Sequence, residues 1–279
     1  ELDQMTTGFK GGEMIVIAAR PGVGKTALAL SMARHILRQR FDVDKDDFIR
    51  PGYPVAFFSL EMSAQQLMFR LLSSHAGLDS EQIRRGQLSD SQITALRGVA
   101  AEISDLPLLL DESSLLSIGQ LRARARRLKK SHGIEIIFVD YLQLLTSGTD
   151  RARESRQVEV SEISRGLKAL AMELNIPVVV LAQLNRKPEE TNQDPALHHL
   201  RESGSIEQDA DVVMLLSRES DTAENATEEG ETAESRPAHH RGIVCKLNIA
   251  KQRNGPTDRI RLLFQPNFTR FDSLPREAR

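Results

Sequence analysis

Cysteine is nearly missing from these 279 residues, and tryptophan is missing altogether. The one cysteine, Cys245, allows no internal disulfide, which fits a reducing cytosol and leaves the core to hold the fold. With no Trp, two Tyr and ten Phe, the chain lacks a cluster of exposed aromatics on which single-stranded bases could stack. Several Phe fall in strand-like runs instead, as at Phe57-Phe58 and Phe138. A grip on nucleic acid would therefore go through phosphates. An excess of one charge is lacking too: the net is −2, so any surface for a polyanion has to be local. No apolar run is as long as a membrane span and no signal peptide is visible. No membrane partner is expected, and the expected location is cytoplasmic. The chain begins at Glu1, not Met, which points to a fragment or a processed form.

What is present is a phosphate-binding loop. Ala19-Arg20-Pro21-Gly22-Val23-Gly24-Lys25-Thr26 follows the apolar run Met14–Ala18 and opens a helical stretch from Ala27. Strand, loop and helix in that order separate a nucleotide loop from a chance match. Backbone N–H groups from Arg20, Pro21's neighbours, Gly22, Val23, Gly24 and Ala27 would close around phosphate oxygens at the positive end of the helix. Lys25 would reach the terminal phosphates and Thr26 would place a hydroxyl on Mg²⁺. The first glycine of the G-x-x-x-x-G-K-S/T pattern is Ala19 here. A glycine-rich turn with no ligand is the bland alternative, and the intact Gly24-Lys25-Thr26 end argues against it.

Length allows one large or two ordinary domains. Apolar, β-branched runs at 14–18, 55–59, 107–110, 134–139, 177–182 and 211–216 alternate with helical patterns near 25–40, 63–76, 89–104, 117–132 and 153–175. Continuous apolar strands separated by helices predict an α/β fold, a mostly parallel twisted sheet covered on both faces. Residues 242–250 and 258–264 flank the turn-rich Asn254-Gly255-Pro256-Thr257, with a last strand near 268–272, and predict an antiparallel carboxyl-terminal extension of the sheet. Residues 41–54 look like an insertion, 185–197 like a mobile loop. The stretch 218–241, with seven acids from Glu219 to Glu234, has the composition of disorder.

Four segments carry further chemistry. Phe57-Phe58-Ser59-Leu60-Glu61 puts a carboxylate past a strand end, where it can orient an attacking water or simply cap the helix starting near Ser63. Ile134–Asp140 is an apolar strand ending in an acid, the Walker B pattern, with Asp140 in the Mg²⁺ shell or initiating a turn. Gln183 ends another buried strand, as a sensor of the γ-phosphate or as a plain polar terminus. Lys251 and Arg253 flank one residue and share a strand face, either reaching an anion or guarding a sheet edge. The basic helix Arg122–Lys130 reads as a solvated face more readily than as a docking surface.

Taken in order, RPGVGKT, SLEMS, VDYLQLL, LAQLNR, LRESGSIEQDAD and AKQRNGPT closely resemble the carboxyl-terminal motor domain of the bacterial replicative DNA helicase family, DnaB. The resemblance covers essentially the whole chain, 1–279, as one domain with variable insertions near 41–54 and 218–241. It implies a RecA-like P-loop NTPase core, ring-shaped hexamers around single-stranded DNA, and ATP held between subunits. It implies that Lys25, Thr26 and Asp140 bind MgATP, that Glu61 is the catalytic base and Gln183 the γ-phosphate sensor. Lys251 and Arg253 become groups acting on a neighbour's site, and Arg201, Glu202 and Gly204 a loop contacting DNA phosphates. A helicase loader and primase are the implied partners. The family's amino-terminal collar and linker helix would precede Glu1, and the family accepts alanine where Ala19 stands. A RecA/RadA-like recombination ATPase, a clock-protein ATPase, a P-loop kinase and a non-hydrolysing assembly module are the competing readings.

Overall fold

The computed structural model describes residues 1–38, 40–42, 47–49, 52–148, 155–184, 195–219 and 242–274, with backbone alone at 40–42, 47–49 and 201–203. After a short helix α1 (Leu2–Thr6), strand β1 (Met14–Ala19) leads into α2 (Lys25–Arg38). A two-stranded pair, β2 (Arg40–Asp42) and β3 (Asp47–Ile49), stands in the expected insertion. Then follow β4 (Val55–Ser59), α3 (Ala64–Ala76), α4 (Ser80–Arg85), α5 (Asp90–Ser104), β5 (Leu108–Asp111), β6 (Leu116–Ser117) and α6 (Ile118–His132). The second half comprises β7 (Ile136–Asp140), a 3-10 turn at Leu142–Leu144, β8 (Leu145–Thr146), α7 (Arg156–Leu174), β9 (Val178–Gln183), a 3-10 segment Leu197–Ser203, α8 (Gly204–Asp209) and β10 (Val212–Arg218). Strands β11 (Ile243–Gln252), β12 (Arg259–Gln265) and β13 (Arg270–Ser273) complete the chain. Most of 185–197 and of 218–241 lies outside the described residues.

One nine-stranded sheet has the order β13-β12-β11-β10-β1-β9-β7-β4-β5. From β10 to β5 all neighbours are parallel; β11, β12 and β13 add on antiparallel. The predicted mostly parallel α/β sheet with an antiparallel extension is what forms. Side chains alternate across a strand, and here both sides are apolar. Met14, Val16 and Ala18 face a core with Leu121, Ile163, Leu167 and Leu170 of α6 and α7. Ile15, Ile17 and Ala19 face one with Leu28, Leu37, Leu67 and Leu71 of α2 and α3. Burial on both faces is why the strands read as unbroken apolar runs. Each fully buried Leu or Phe contributes about 1.5–3 kcal/mol, and Phe57 stacks on Phe138 with centroids 5.6 Å apart. Cys245 lies in this core, its thiol pushed up to about 11 by burial.

Helix ends follow local rules. Ser63, Ser89 and Ser117 each close a capping box with a glutamine three residues on. Gly77, Gly86 and Gly133 end α3, α4 and α6 in left-handed conformation. These punctuation marks let β1, β4, β7 and β9 all end at the same edge, and that edge carries the site.

Candidate active site

The loop after β1 hangs from Ala19, which is buried and pairs with Gln183 on one side and Leu216 on the other. Ala19 keeps ordinary strand geometry: among described non-glycine residues only Thr7, Asn175 and Thr269 have positive φ. A Cβ is therefore tolerated where the pattern has glycine. Gly24 is different. Its φ is +113°, and an added Cβ would come within 3.1 Å of the Phe271 ring. The Gly22 carbonyl accepts a hydrogen bond from the Arg218 guanidinium at 2.7 Å, which ties the loop to the end of β10. Helix α2 starts at Lys25, so its unpartnered first N–H groups and positive dipole end face the loop.

Asp140, at the end of β7, meets this loop. Its carboxylate is fully buried, and Oδ2 accepts the Thr26 hydroxyl at 2.7 Å. Lys25 Nζ lies 3.9 Å from Oδ1 and 4.2 Å from the centre of the Tyr141 ring. At 3.9 Å the ammonium is beyond hydrogen-bond range, and Oδ1 is a buried oxygen with no hydrogen-bond partner. Burial raises the Asp140 pKa against the opposing pull of Lys25 and Thr26, and Glu61 raises it further. Burial lowers that of Lys25 against the pull of Asp140 and Glu61. A buried anionic oxygen left unbonded is costly, and its natural complement is a cation with its own water shell. Among the described residues no group of three or more His, Cys, Asp or Glu is placed to hold a metal ion. A cation here would thus share Thr26 and Asp140 with ligand phosphates, the arrangement Mg²⁺ favours.

Glu61 stands two residues beyond β4, whose Ser59 is level with Asp140. The capping alternative for Glu61 is removed, because Ser63 caps α3 and Glu112 accepts the Ala64 N–H at 2.6 Å. Glu61 is exposed toward the crevice that holds Lys25. Gln183, the exposed last residue of β9, ends level with Ala19. One cation escaped the sequence reading. Arg70 of α3 is half-buried, its pKa lowered by burial against the pull of Asp140 and Glu61. Its signal was available: Leu67, Leu71 and Ser74 form the buried stripe of α3, and Arg70 is a charge on that inward side.

Lys251 and Arg253 lie at the opposite end of the sheet. Lys251 pairs with Val213 across from β10, while the phosphate loop leaves level with Leu216. Arg253, whose N–H bonds the Asp211 carbonyl, is five strand residues from Ala19, roughly 16 Å. Both cations turn to the carboxyl end of α8: Lys251 bonds the Glu207 and Gln208 carbonyls, and Arg253 the Gln208 carbonyl at 2.6 Å. They share a side, as the spacing predicts, but they guard no edge. β11 is internal, and the edges of the sheet are β13 and β5. Beneath them Asp211 accepts from the Met14 N–H at 2.8 Å and pairs with Lys168 at 2.7 Å. Gly204 is exposed and opens α8; Arg201 and Glu202 lie in the preceding 3-10 turn, and their side chains are outside the described residues. On α6, Arg122 and Arg126 pair with Glu173, Arg124 with Asp111 and Lys129 with Glu135. Those partners account for much of the basic helix without a docking surface.

No described helix is long and apolar enough to cross a membrane. Residues 1–273 match the family described as DnaB-like helicase C terminal domain. The chain is 43% identical over 275 residues to the replicative DNA helicase DnaB of Leifsonia xyli subsp. xyli, covering 98% of this chain and 54% of that protein. It is 40% identical to that of Geobacillus stearothermophilus, covering 99% and 56%. It thus spans about half the length of these curated relatives. A solved ATPase domain superposes with a TM-score of 0.80 at 32% identity, over 98% of this chain and 89% of that one. A DnaB-like replicative helicase studied with its primase superposes with a TM-score of 0.79 at 32% identity, over 98% and 60%. The recombination-ATPase alternative finds no support among these relatives. Nine strands in this order, a nucleotide loop and these matches place the chain in the family of DnaB-like helicase C-terminal domains.

Proposed function

We propose that this chain is the motor domain of an ATP-dependent replicative DNA helicase, acting in the cytoplasm as a ring on single-stranded DNA. The observation that carries the nucleotide chemistry is the buried Thr26–Asp140–Lys25 group with its unbonded Oδ1. Mg²⁺, held by the Thr26 hydroxyl and Asp140 with the nucleotide's phosphates, would neutralise charge on the transferring phosphoryl group. Lys25, whose 12% exposed side chain lies beside Asp140 and Tyr141, binds the terminal phosphates. Glu61 orients the attacking water and takes its proton, and Gln183 contacts the γ-phosphate. Arg70, on the inward side of α3, adds positive charge on the side of Glu61 and Asp140.

This half of the site contains no arginine that its own Lys251–Arg253 pair can supply, since that pair sits at the far end of the sheet. A neighbour in a ring would bring those cations to the phosphates, so hydrolysis depends on assembly. Arg201, Glu202 and Gly204 contact DNA phosphates and read no sequence, in keeping with the scarcity of aromatics. A helicase loader and a primase are the partners this reading brings; primase is named for the solved relative. The test is ATPase rate per protomer against protein concentration, with and without single-stranded DNA. A steep rise with concentration and stimulation by DNA are expected. A rate per protomer that stays flat, with DNA silent, would overturn the proposal.

A further inference from the structure

The ladder between β7 and β9 runs from Ile137 opposite Val178 to Val139 opposite Val180, and then stops. It stops because β7 ends at Asp140 and the chain turns into Leu142–Leu144. On its other side β9 continues along β1 as far as Gln183, and the Leu184 N–H bonds the Ala19 carbonyl at 3.0 Å. Successive residues of a strand offer their N–H and C=O groups to opposite neighbours. Since Leu184 turns to β1, Gln183 turns to the side that β7 has left. A side chain fills that gap. Gln143 Nε2 donates to the Gln183 carbonyl at 3.0 Å, and the Gln183 N–H donates to Gln143 Oε1 at 3.2 Å. A primary amide has one donor edge and one acceptor edge, the same as a peptide group. Gln143 thus acts as one more rung of the ladder. The residue is itself held, because its main-chain carbonyl accepts from the Arg156 guanidinium at 2.6 Å. Arg156 also pairs with Glu159, which accepts the Ser147 N–H at 3.3 Å.

We propose that Gln143 is a positioning residue for Gln183: its amide fixes the Gln183 backbone in extended form and so sets the direction in which that side chain meets the γ-phosphate. The inference rests on the γ-phosphate reading of Gln183. Gln143 itself touches no phosphate; it acts through the peptide that carries Gln183. Misplacement of a reacting or sensing group by about 1 Å can cost about 10²-fold in rate, so a rung lost beneath Gln183 is felt in turnover and in discrimination of nucleoside triphosphate from diphosphate.

The experiment compares Gln143→Ala, Gln143→Glu, Gln183→Ala and the double Gln143→Ala/Gln183→Ala variant in the intact, assembled protein. It measures kcat, and the ratio of dissociation constants for ADP and a non-hydrolysable ATP analogue. Gln183→Ala should lower kcat about 10²-fold and bring the ratio towards one. Gln143→Ala should move both in the same direction by roughly a factor of ten, with ADP affinity unchanged. Gln143→Glu keeps the acceptor for the Gln183 N–H but sets a carboxylate oxygen against the Gln183 carbonyl, so it should lower kcat and the ratio at least as far as Gln143→Ala. The double variant should be no slower than Gln183→Ala alone, since residues acting through one group are non-additive. A silent Gln183→Ala would overturn the reading of Gln183 and with it the inference. A deleterious Gln183→Ala beside a Gln143→Ala within twofold of wild type, or a double variant slower by the product of the two, would overturn the inference alone. If Gln143→Ala loses ADP affinity or fails to fold, Gln143→Glu decides: an unchanged ratio there sinks the idea.

Discussion

The two ends of the parallel sheet are built to opposite specifications. At the carboxyl end, Asp140, Lys25 and Arg70 are partly desolvated beside the exposed Glu61, and one carboxylate oxygen of Asp140 is buried without a hydrogen bond. At the amino end, Asp211 binds Met14, Lys168 and Arg253, while Lys251 and Arg253 cap the last carbonyls of α8. Cations at a helix carboxyl terminus gain from its dipole, so each of these charges has a partner. Charges left unsatisfied cost stability and are kept where a ligand completes them. Charges fully satisfied hold a shape. The difference supports the proposal that the carboxyl end receives and the amino end presents, with one protomer's satisfied cations completing another's unfinished site.

The sharpest way to break that contrast is Arg253→Ala. A trans-acting arginine is worth about 10³–10⁵ in rate in GTPases, and a loss within that range is expected at protein concentrations that support assembly. Nucleotide affinity of the separated protomer should stay unchanged, because Arg253 is roughly 16 Å from its own loop. Mixing Arg253→Ala with Glu61→Gln protein should restore activity, since some interfaces then pair an intact carboxylate with an intact arginine. If assembled mixtures regain nothing, the two ends do not meet across subunits.

Much of this was legible before any coordinates. The strands that end in Ala19, Asp140 and Gln183 are buried on both faces, so hydrophobicity alone marks them, and their last residues announce the site. The two-sided choices at Glu61 and Lys251 were not legible. One turned on whether Ser63 or Glu61 caps α3, the other on whether β11 is an edge, and both depend on what packs alongside. Arg218 on Gly22 and Gln143 on Gln183 were hidden for a different reason. A side chain bonding a backbone 196 or 40 residues away leaves no periodic trace. Helix α8, of six residues, is too short for a 3.6-residue repeat to show.

A second test separates shape from chemistry at the amino end. Asp211→Ala strands the Met14 N–H, bonded at 2.8 Å, and removes the carboxylate that Lys168 meets at 2.7 Å, leaving that ammonium only the Gly12 carbonyl. Lys168 is 23% exposed and Asp211 9%, so the cost should lie between that of a screened surface pair and a fully buried one, about 2–3 kcal/mol. Denaturant unfolding should show this loss while the nucleotide affinity of the folded protein holds. An equal fall in affinity would mean that the two ends are not independent.

The smallest effect is expected at Glu173, in the last turn of α7 where the chain leads into the amino end of β9. Arg126 and then Arg122 bond its carboxylate and pull its pKa down to about 2. A carboxylate with a lowered folded-state pKa binds fewer protons folded than unfolded between the two values. Its stabilisation is therefore complete above the unfolded value near 4.5 and is lost as pH falls toward about 2. Glu173→Gln should lower the Tm slightly at pH 7, the difference from wild type should shrink as pH falls through that window, and salt should shrink it at neutral pH because the pair faces solvent. ATPase activity at pH 7 should not respond. A Tm difference that is indifferent to both pH and salt would show that packing against α6, not charge, is what Glu173 contributes to this end of the sheet.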